Sequence, residues 1–224
     1  MVDRMPENIY TTKLLNRSWL SDKAVEIELS RPSHFHFVPG QRIRFIHESK
    51  ERDYSLISTP QDATLLICVR YIMNGFFSPI LCSAEIGTPF RFEGAHGYFS
   101  FRPSSRPAVF IATGTGVAPF VSMACSGVSG FTLLHGVHLL EDLYYASIFR
   151  AKAKQFVPCL TGTPSKSSEL PSAFYGRVTD YLETRLPVEF YDFYLCGRSD
   201  MIRDVTLLVD DKFHGSYVYS EIFY

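Results

Sequence analysis

The sequence lacks the features that mark a membrane protein, a metalloprotein or a nucleic-acid binder. None of its 224 residues form an apolar run of 18, roughly 18 being the shortest stretch read as a bilayer-crossing helix. The opening residues MVDRMPENIY carry Asp3 and Glu7 where a secretory leader would be apolar. We therefore expect a cytoplasmic protein without membrane insertion. Neither sign of charge prevails: 22 Lys plus Arg stand against 23 Asp plus Glu, a net charge of -1. No global field then favours nucleic acid, and none is expected as a partner. The cysteines, Cys68, Cys82, Cys125, Cys159 and Cys196, are isolated and odd in number, without the paired spacing of zinc or iron–sulfur sites. No metal is expected. There is a single tryptophan, no internal repeat and no low-complexity tract.

What is present is a full complement of core formers, 46% hydrophobic residues with 13 Tyr and 19 Phe. That is enough for a folded chain, and the length suits one large domain or two smaller ones. From Ile9 to about Phe101 the pattern is short alternating runs, AVEIELS (24–30), QRIRFIH (41–47), TLLICVRY (64–71) and TPFRFEG (88–94), broken by Pro39-Gly40 and Gly94. Such spacing predicts an antiparallel barrel or sandwich, interrupted by one short helix starting near Gly75. The polar stretch Arg102-Pro103-Ser104-Ser105-Arg106-Pro107 reads as an interdomain linker. After it the grammar changes to buried strands alternating with helices: strand 108–112, helix 118–126, strand 131–135, helix 141–153, strand 155–160, helix 177–184, strand 190–196, helix 200–211 and an edge strand 217–220. This alternation predicts a doubly wound parallel sheet. The expected organisation is thus two domains, an antiparallel β-barrel over 1–102 and an α/β parallel-sheet domain over 107–224.

Four groups of residues could carry chemistry. Arg52-Asp53-Tyr54-Ser55 begins at the mouth of a barrel strand, where Arg can neutralise a pyrophosphate, Tyr can meet a planar ring and Ser can reach a heteroatom. Alternation puts Arg52 and Tyr54 on one face. Arg70-Tyr71-Ile72 followed by Gly75-Phe76-Phe77-Ser78 joins a strand end to a helix start, an anion-binding arrangement in which Ser78 could equally be a helix cap. Thr113-Gly114-Thr115-Gly116 with Pro119 follows an apolar strand and opens a helix; glycines there let a dinucleotide pass close to the backbone. It departs from Gly-x-Gly-x-x-Gly, since Pro119 stands in place of the last glycine. Cys196-Gly197 ends a predicted strand, where ligands bind in such sheets, although a small buried cysteine is the plainer reading.

In this order, Arg-x-Tyr-Ser, Gly-x-x-Ser, Gly-Thr-Gly-x-Ala-Pro and Cys-Gly resemble the ferredoxin/flavodoxin–NAD(P) reductase family, over nearly the whole chain from Pro39-Gly40-Gln41 onward. The resemblance implies an FAD-binding barrel followed by an NAD(P)-binding domain, with flavin and nicotinamide meeting between them. It places Arg52, Asp53, Tyr54 and Ser55 in the flavin motif, with Tyr54 on the isoalloxazine and Ser55 near N5. Arg70, Tyr71 and Ile72 fall along the ribityl and phosphate portion, and Gly75, Phe76, Phe77 and Ser78 at the pyrophosphate. Thr113, Gly114, Thr115, Gly116 and Pro119 fall in the nucleotide loop, and Cys196-Gly197 faces the nicotinamide. Leu134-His135-Gly136-Val137 resembles the family's next strand. The ending Glu221-Ile222-Phe223-Tyr224 resembles family termini in which a carboxylate lies near the flavin and an aromatic, Phe223 or Tyr224, covers its ring as a gate. Ser55, Cys196, Glu221 and Tyr224 are thereby implied to position and tune hydride transfer, with no nucleophilic triad.

The activity implied is that of a flavoenzyme moving electrons between NAD(P)H and a one-electron carrier such as ferredoxin or flavodoxin. Alternatives are an NAD(P)H-dependent reductase of free flavin, quinone or an oxygenase component, or a flavin-bearing subunit of a larger complex. The Ser-Arg pair that often selects NADP in the family reads here Thr161-Gly162, and His138 stands where a second Arg is frequent. Lys166 or Arg177 could meet a 2′-phosphate in their stead. We expect a slight preference for NADH, or weak discrimination. Arg42, Arg44, Lys50, Arg52, Arg91, Arg102 and Arg106 could form a basic rim toward an acidic carrier.

Overall fold

A computed structural model describes residues 9–162, 170 and 172–223. The chain divides into two compact units between Ser100 and Phe101. The first contains strands β1 (Ile9–Ser21), β2 (Ala24–Ser30), β3 (Arg42–His47), β4 (Lys50–Ser55), β5 (Thr64–Arg70) and β6 (Pro89–His96), with helix α1 (Phe77–Ser83) between the last two. They form an antiparallel sheet ordered β4-β3-β6-β1-β2-β5. The ends of that order approach each other through a bridge between Leu56 and Ile67, reinforced where Ile57 N donates to Leu66 O at 2.8 Å. This gives the barrel-like curl expected from the sequence. The reason is period-two patterning: in β2, Val25, Ile27 and Leu29 point inward while Glu26 and Glu28 face out. The enclosed core adds Phe35, Phe45, Phe92 and, from α1, Phe77 and Leu81.

The second unit contains β7 (Ala108–Thr113), α2 (Ala118–Cys125), β8 (Thr132–Val137), α3 (Ala146–Lys152), β9 (Gln155–Leu160), β10 (Phe174–Tyr175), α4 (Val178–Thr184), β11 (Asp192–Arg198), α5 (Ser199–Lys212) and β12 (Tyr217–Phe223). All strands are parallel, in the order β10-β9-β8-β7-β11-β12. From β7 the chain winds outward to one side through β10, then returns to start again at β11. The strand order therefore reverses between β7 and β11, and such a switch point opens a crevice at the carboxyl ends of its two strands. Core forms on both faces. Phe110 stacks on Phe120 and Phe131 at 4.6 and 4.4 Å, while Val109, Ile111 and Leu195 pack with Val178, Leu182, Val205 and Val209. The stripe Met201, Ile202, Val205, Val209 is what makes α5 a helix against this sheet.

Two expectations are revised. The helix expected over 141–153 is broken: a single 3₁₀ turn covers Leu140–Asp142, Tyr145 adopts φ 59°, and only Ala146–Lys152 is α-helical. The edge strand runs on to Phe223, because Glu221, Ile222 and Phe223 continue the parallel ladder with Cys196, Gly197 and Arg198. Residues 102–107, read as an interdomain linker, are held by hydrogen bonds that the sequence does not signal. Arg102 N donates to the Tyr194 hydroxyl at 3.0 Å, Ser104 Oγ donates to Asp192, and the Arg106 guanidinium lies 4.1 Å from the Tyr217 ring while donating to Gly215 O at 2.8 Å. The segment is stitched onto β11 and the start of β12. No helix among the described residues is long and apolar enough to cross a membrane, and among them no group of His, Cys, Asp and Glu could hold a metal ion.

Candidate functional site

In the barrel unit the candidate residues lie on β4 and on the loop joining β5 to α1. β4 pairs with β3 so that Arg44 faces Asp53 and Arg42 faces Ser55. Asp53 is held by Arg44, whose Nε and Nη2 donate at 2.7 and 3.1 Å, and by Arg42 Nε at 2.8 Å. Burial alone would raise the Asp53 carboxyl, but hydrogen bonds from Arg44 and Arg42 outweigh it and hold it below the ordinary range. Its hydrogen bonds serve the strand pair. By alternation Arg52 and Tyr54 share the other face; Arg52 is exposed, and Tyr54 meets Phe45 edge-on at 5.7 Å. Burial pushes the Tyr54 phenol well up, so it stays protonated as a donor. Ser55 is 2% exposed, and its Oγ is buried with no hydrogen-bond partner. An unanswered buried hydroxyl costs about 1–3 kcal/mol. That orphan fits a ligand heteroatom supplied from outside the chain.

At the end of β5, Arg70 is exposed, Tyr71 N donates to Lys23 O at 2.8 Å, and the Tyr71 ring stands edge-on to Trp19 at 5.4 Å. The following loop closes on itself. Gly75 N donates to Ile72 O at 2.8 Å, Ile72 N donates to Ser78 Oγ at 3.0 Å, and Ser78 Oγ donates back to Ile72 O at 3.2 Å. A Cβ on Gly75 would lie 3.0 Å from Ile72 O and 3.2 Å from Ser78 Oγ, so glycine is what lets the loop close this tightly. Ser78 therefore does not cap α1. It shapes the loop that the sequence assigns to a pyrophosphate. Phe76 lies under Lys50 Nζ at 3.9 Å, and Phe77 anchors the helix in the core.

In the sheet unit the candidate residues gather at the switch point. β7 ends at Thr113, a 3₁₀ turn covers Gly114–Val117, and α2 starts with Pro119 in its first turn, where its missing N–H costs nothing. Gly114 has φ 52°, and a Cβ there would meet no heavy atom within 4 Å, so the backbone is bare on that side. Gly116 is held differently: a Cβ would collide with the Cys196 carbonyl oxygen and sit 2.7 Å from Gly197 Cα. Gly197 (φ 143°) is equally committed, since its Cβ would overlap Thr113 Oγ1; that oxygen accepts from Arg198 N at 3.2 Å. The turn is thus pressed against the end of β11, with no room for side chains between. Cys196 is fully buried between Ala112 and Glu221. Glu221 and Phe223 are fixed by ladder pairing opposite Cys196 and Arg198. Tyr224 lies outside the described residues.

One residue that the sequence places only within a strand enters here. His135 on β8 is fully buried, with Nε2 2.9 Å from Gly114 O. Burial, only partly offset by that hydrogen bond and by Asp142, pulls its pKa down to about 4. The available signal was a lone imidazole in the apolar run Phe131–Val137.

The selectivity candidates are dispersed. Arg177 is exposed at the N-terminus of α4, its backbone N bonded to Asp180 Oδ2 at 2.8 Å. It belongs to the β9–β10 edge, roughly 10–15 Å from β7 at the usual strand spacing. Gly162, where the resemblance would put an arginine, is packed under the β8 end: a Cβ would collide with His138 O and lie 2.8 Å from Leu139 Cδ2. His138 Nδ1 stands 3.3 Å from Thr161 Oγ1. Lys166 lies outside the described residues. The basic rim is weaker than the charge count implies, for Asp53 engages Arg42 and Arg44, and Arg102 and Arg106 lie over Tyr219 and Tyr217 in the second unit.

Comparison with known proteins agrees with this construction. Residues 110–206 match the oxidoreductase NAD-binding domain family. The anthranilate 1,2-dioxygenase electron transfer component of Acinetobacter baylyi is 30% identical over 205 residues, 84% of this chain and 58% of that protein. Protein RfbI of Salmonella typhimurium is 28% identical over 177 residues, 74% of this chain and 52% of its own length. The chain thus spans little more than half of these relatives. Among solved structures, a ferredoxin NADP+ reductase from Neisseria gonorrhoeae, with bound FAD and NADP, superposes with a TM-score of 0.81 at 23% identity, covering 96% of this chain and 99% of that one. The Amycolatopsis cytochrome P450 reductase GcoB superposes with 0.82 at 23% identity, covering all of this chain and 73% of that one. Residues 110–206 therefore carry the match to an oxidoreductase NAD-binding domain, and these solved structures share the fold of the chain.

Proposed function

We propose that the chain is an FAD-dependent reductase that takes hydride equivalents from NAD(P)H and passes single electrons to a protein carrier of ferredoxin or flavodoxin type. The observation that carries the reading is the glycine turn Gly114–Val117 seated at the switch point against Cys196 and Gly197. In the barrel, the orphaned Ser55 hydroxyl, the protonated Tyr54 phenol and the exposed Arg52 are the groups that fit a flavin ring and its pyrophosphate, with Arg70, Tyr71, Ile72 and the loop Gly75–Ser78 beside them. FAD, when bound, supplies the junction between two-electron and one-electron transfer. The protein's part is to place donors: Ser55 Oγ toward a ring heteroatom, Arg52 toward phosphate, and the bare turn backbone toward the nucleotide. Cys196 and Glu221 tune the nicotinamide end, and Phe223 and Tyr224 act as its gate. The domain limits 1–102 and 107–224 and a cytoplasmic location, supported by the scattered cysteines, form part of this reading.

A second reading has specific support: several relatives carry names of electron transfer components of oxygenases, so the acceptor would be an oxygenase component. The visible spectrum of the purified chain tests both. Flavin bands that bleach anaerobically with NADH or NADPH are expected, with NADH at least as effective because a closely packed glycine stands at position 162 in place of a cation. A panel of ferredoxin, flavodoxin, an oxygenase component, free flavin and quinone then separates the acceptors. Absence of flavin after reconstitution with FAD overturns the proposal.

A further inference from the structure

His135 is the wholly buried histidine of the sheet unit, and it reaches the nucleotide turn from the side opposite β11. It sits on β8 between Ala112 of β7 and Pro158 of β9, with Nε2 2.9 Å from Gly114 O. A carbonyl oxygen only accepts, so Nε2 bears the hydrogen. Nδ1 is buried with no partner. In the neutral ring that nitrogen is a bare lone pair; in the protonated ring it would be an N–H with nothing to receive it, so burial keeps the ring neutral. The charged group of note on this side is Asp142, buried beyond the end of β8 and receiving the Tyr144 hydroxyl at 3.2 Å.

The consequence follows from the planarity of the peptide. In a trans peptide the C=O and the next N–H point in opposite directions. With the Gly114 carbonyl drawn toward His135, the Thr115 N–H of the same peptide points away from His135, and beside it a Cβ on Gly114 would meet nothing within 4 Å. It is also one of the first N–H groups of the turn, which lack partners within it. We propose that His135 is a positioning residue for the dinucleotide: its Nε2–H holds the Gly114 carbonyl down and so aims the Thr115 N–H at a phosphate of NAD(P)H. The inference rests on the proposed function above.

The test uses the full chain loaded with FAD and three variants. His135→Phe keeps the volume and loses the donor. His135→Gln can place an amide N–H near the position of Nε2, and His135→Asn carries an amide that falls short of it. Calorimetric titration with NADH and NADPH should show His135→Phe and His135→Asn binding about tenfold more weakly, as expected for one misdirected hydrogen bond to a charged group, and His135→Gln within about threefold of the parent. KM should rise while kcat at saturation changes less, and flavin content should not change. In the unmodified chain, nitrogen NMR should show the Nε2–H tautomer and a shift of the Thr115 amide on adding nucleotide, a readout that survives even where a variant fails to fold. Equal affinity of His135→Phe and the parent, or a silent Thr115 amide, overturns the inference alone. A parent chain that binds neither nucleotide overturns the functional reading and this inference with it.

Discussion

Strand β4 with its Arg52–Ser55 motif and the turn Gly114–Val117 are of similar length, yet they are built in opposite ways. On β4 the side chains do the work, and they divide it: Asp53 is occupied by Arg42 and Arg44, Tyr54 by core packing against Phe45, and Ser55 Oγ alone is buried without a partner. In the turn the side chains are absent where it matters, and the working surface is backbone held by Cys196, Gly197 and His135. A side-chain motif can therefore be partly scaffolding and still read as a ligand motif. A glycine motif tests itself, because an added Cβ either fits or collides.

The sharpest break of that contrast is Gly116→Ala. Its methyl would run into the backbone of Cys196 and Gly197, and no rotamer change relieves a backbone collision. We expect a loss of about 1–3 kcal/mol or more in stability and a drop in NADH affinity of at least about tenfold, since the turn must lift from β11. Thermal melting and nucleotide titration measure the two effects. If Ala is accepted with unchanged affinity, the turn is not held by close approach, and the contrast with β4 fails.

Acid separates the two units. His135 has an ordinary value of 6.5 and is pulled down to about 4 in the fold. As pH falls below 6.5 the unfolded chain takes up this proton first, so stability is lost progressively down to about 4 and not further, about 3 kcal/mol in all. Asp53 behaves in the reverse sense: its folded value is lowered from 3.8, so its contribution is present above 3.8 and is lost only as pH falls below it. Urea unfolding at pH 7, 5.5 and 4.2, followed by circular dichroism, should show a slope in the parent chain that His135→Gln flattens. An identical slope in both would remove His135 as its source.

How much of this was legible beforehand follows the same division. The alternation in AVEIELS and the buried run Ala108–Ala112 announced barrel and parallel sheet because burial acts on every second residue in one and on every residue in the other. The Gly114–Gly116 turn was legible because strand, glycines and helix are consecutive. His135 was not, for its partner Gly114 is 21 residues away and only β7–β8 pairing brings them together. The clamping of 102–107 was equally hidden: Pro and Ser signal a break in regular structure, but nothing local shows that Tyr194 and Asp192 will hold the break in place. Nor does local sequence show that Gly162 lies under the His138 carbonyl, which removes the space for an arginine.

The mildest test returns to the barrel side, at Ser78. Its hydroxyl both accepts from Ile72 N and donates to Ile72 O, and so ties the start of α1 to the start of the loop after β5. Ser78→Ala removes both bonds; the Ile72 carbonyl keeps the Gly75 N–H, and the Ile72 N–H must find another partner, at a cost of about 1 kcal/mol. The loop Ile72–Ser78 then loses its fixed shape while the barrel core, held by Phe77 and Leu81, stays packed. We expect near-parental melting with FAD retained a few-fold less well through gel filtration, and NADH affinity of the turn unchanged. If flavin retention equals that of the parent, the loop is scaffold alone and the barrel side reduces to Arg52, Tyr54 and Ser55. If retention is lost outright, the loop backbone matters as much there as it does at Gly114–Val117, and the two sides are more alike than their sequences show.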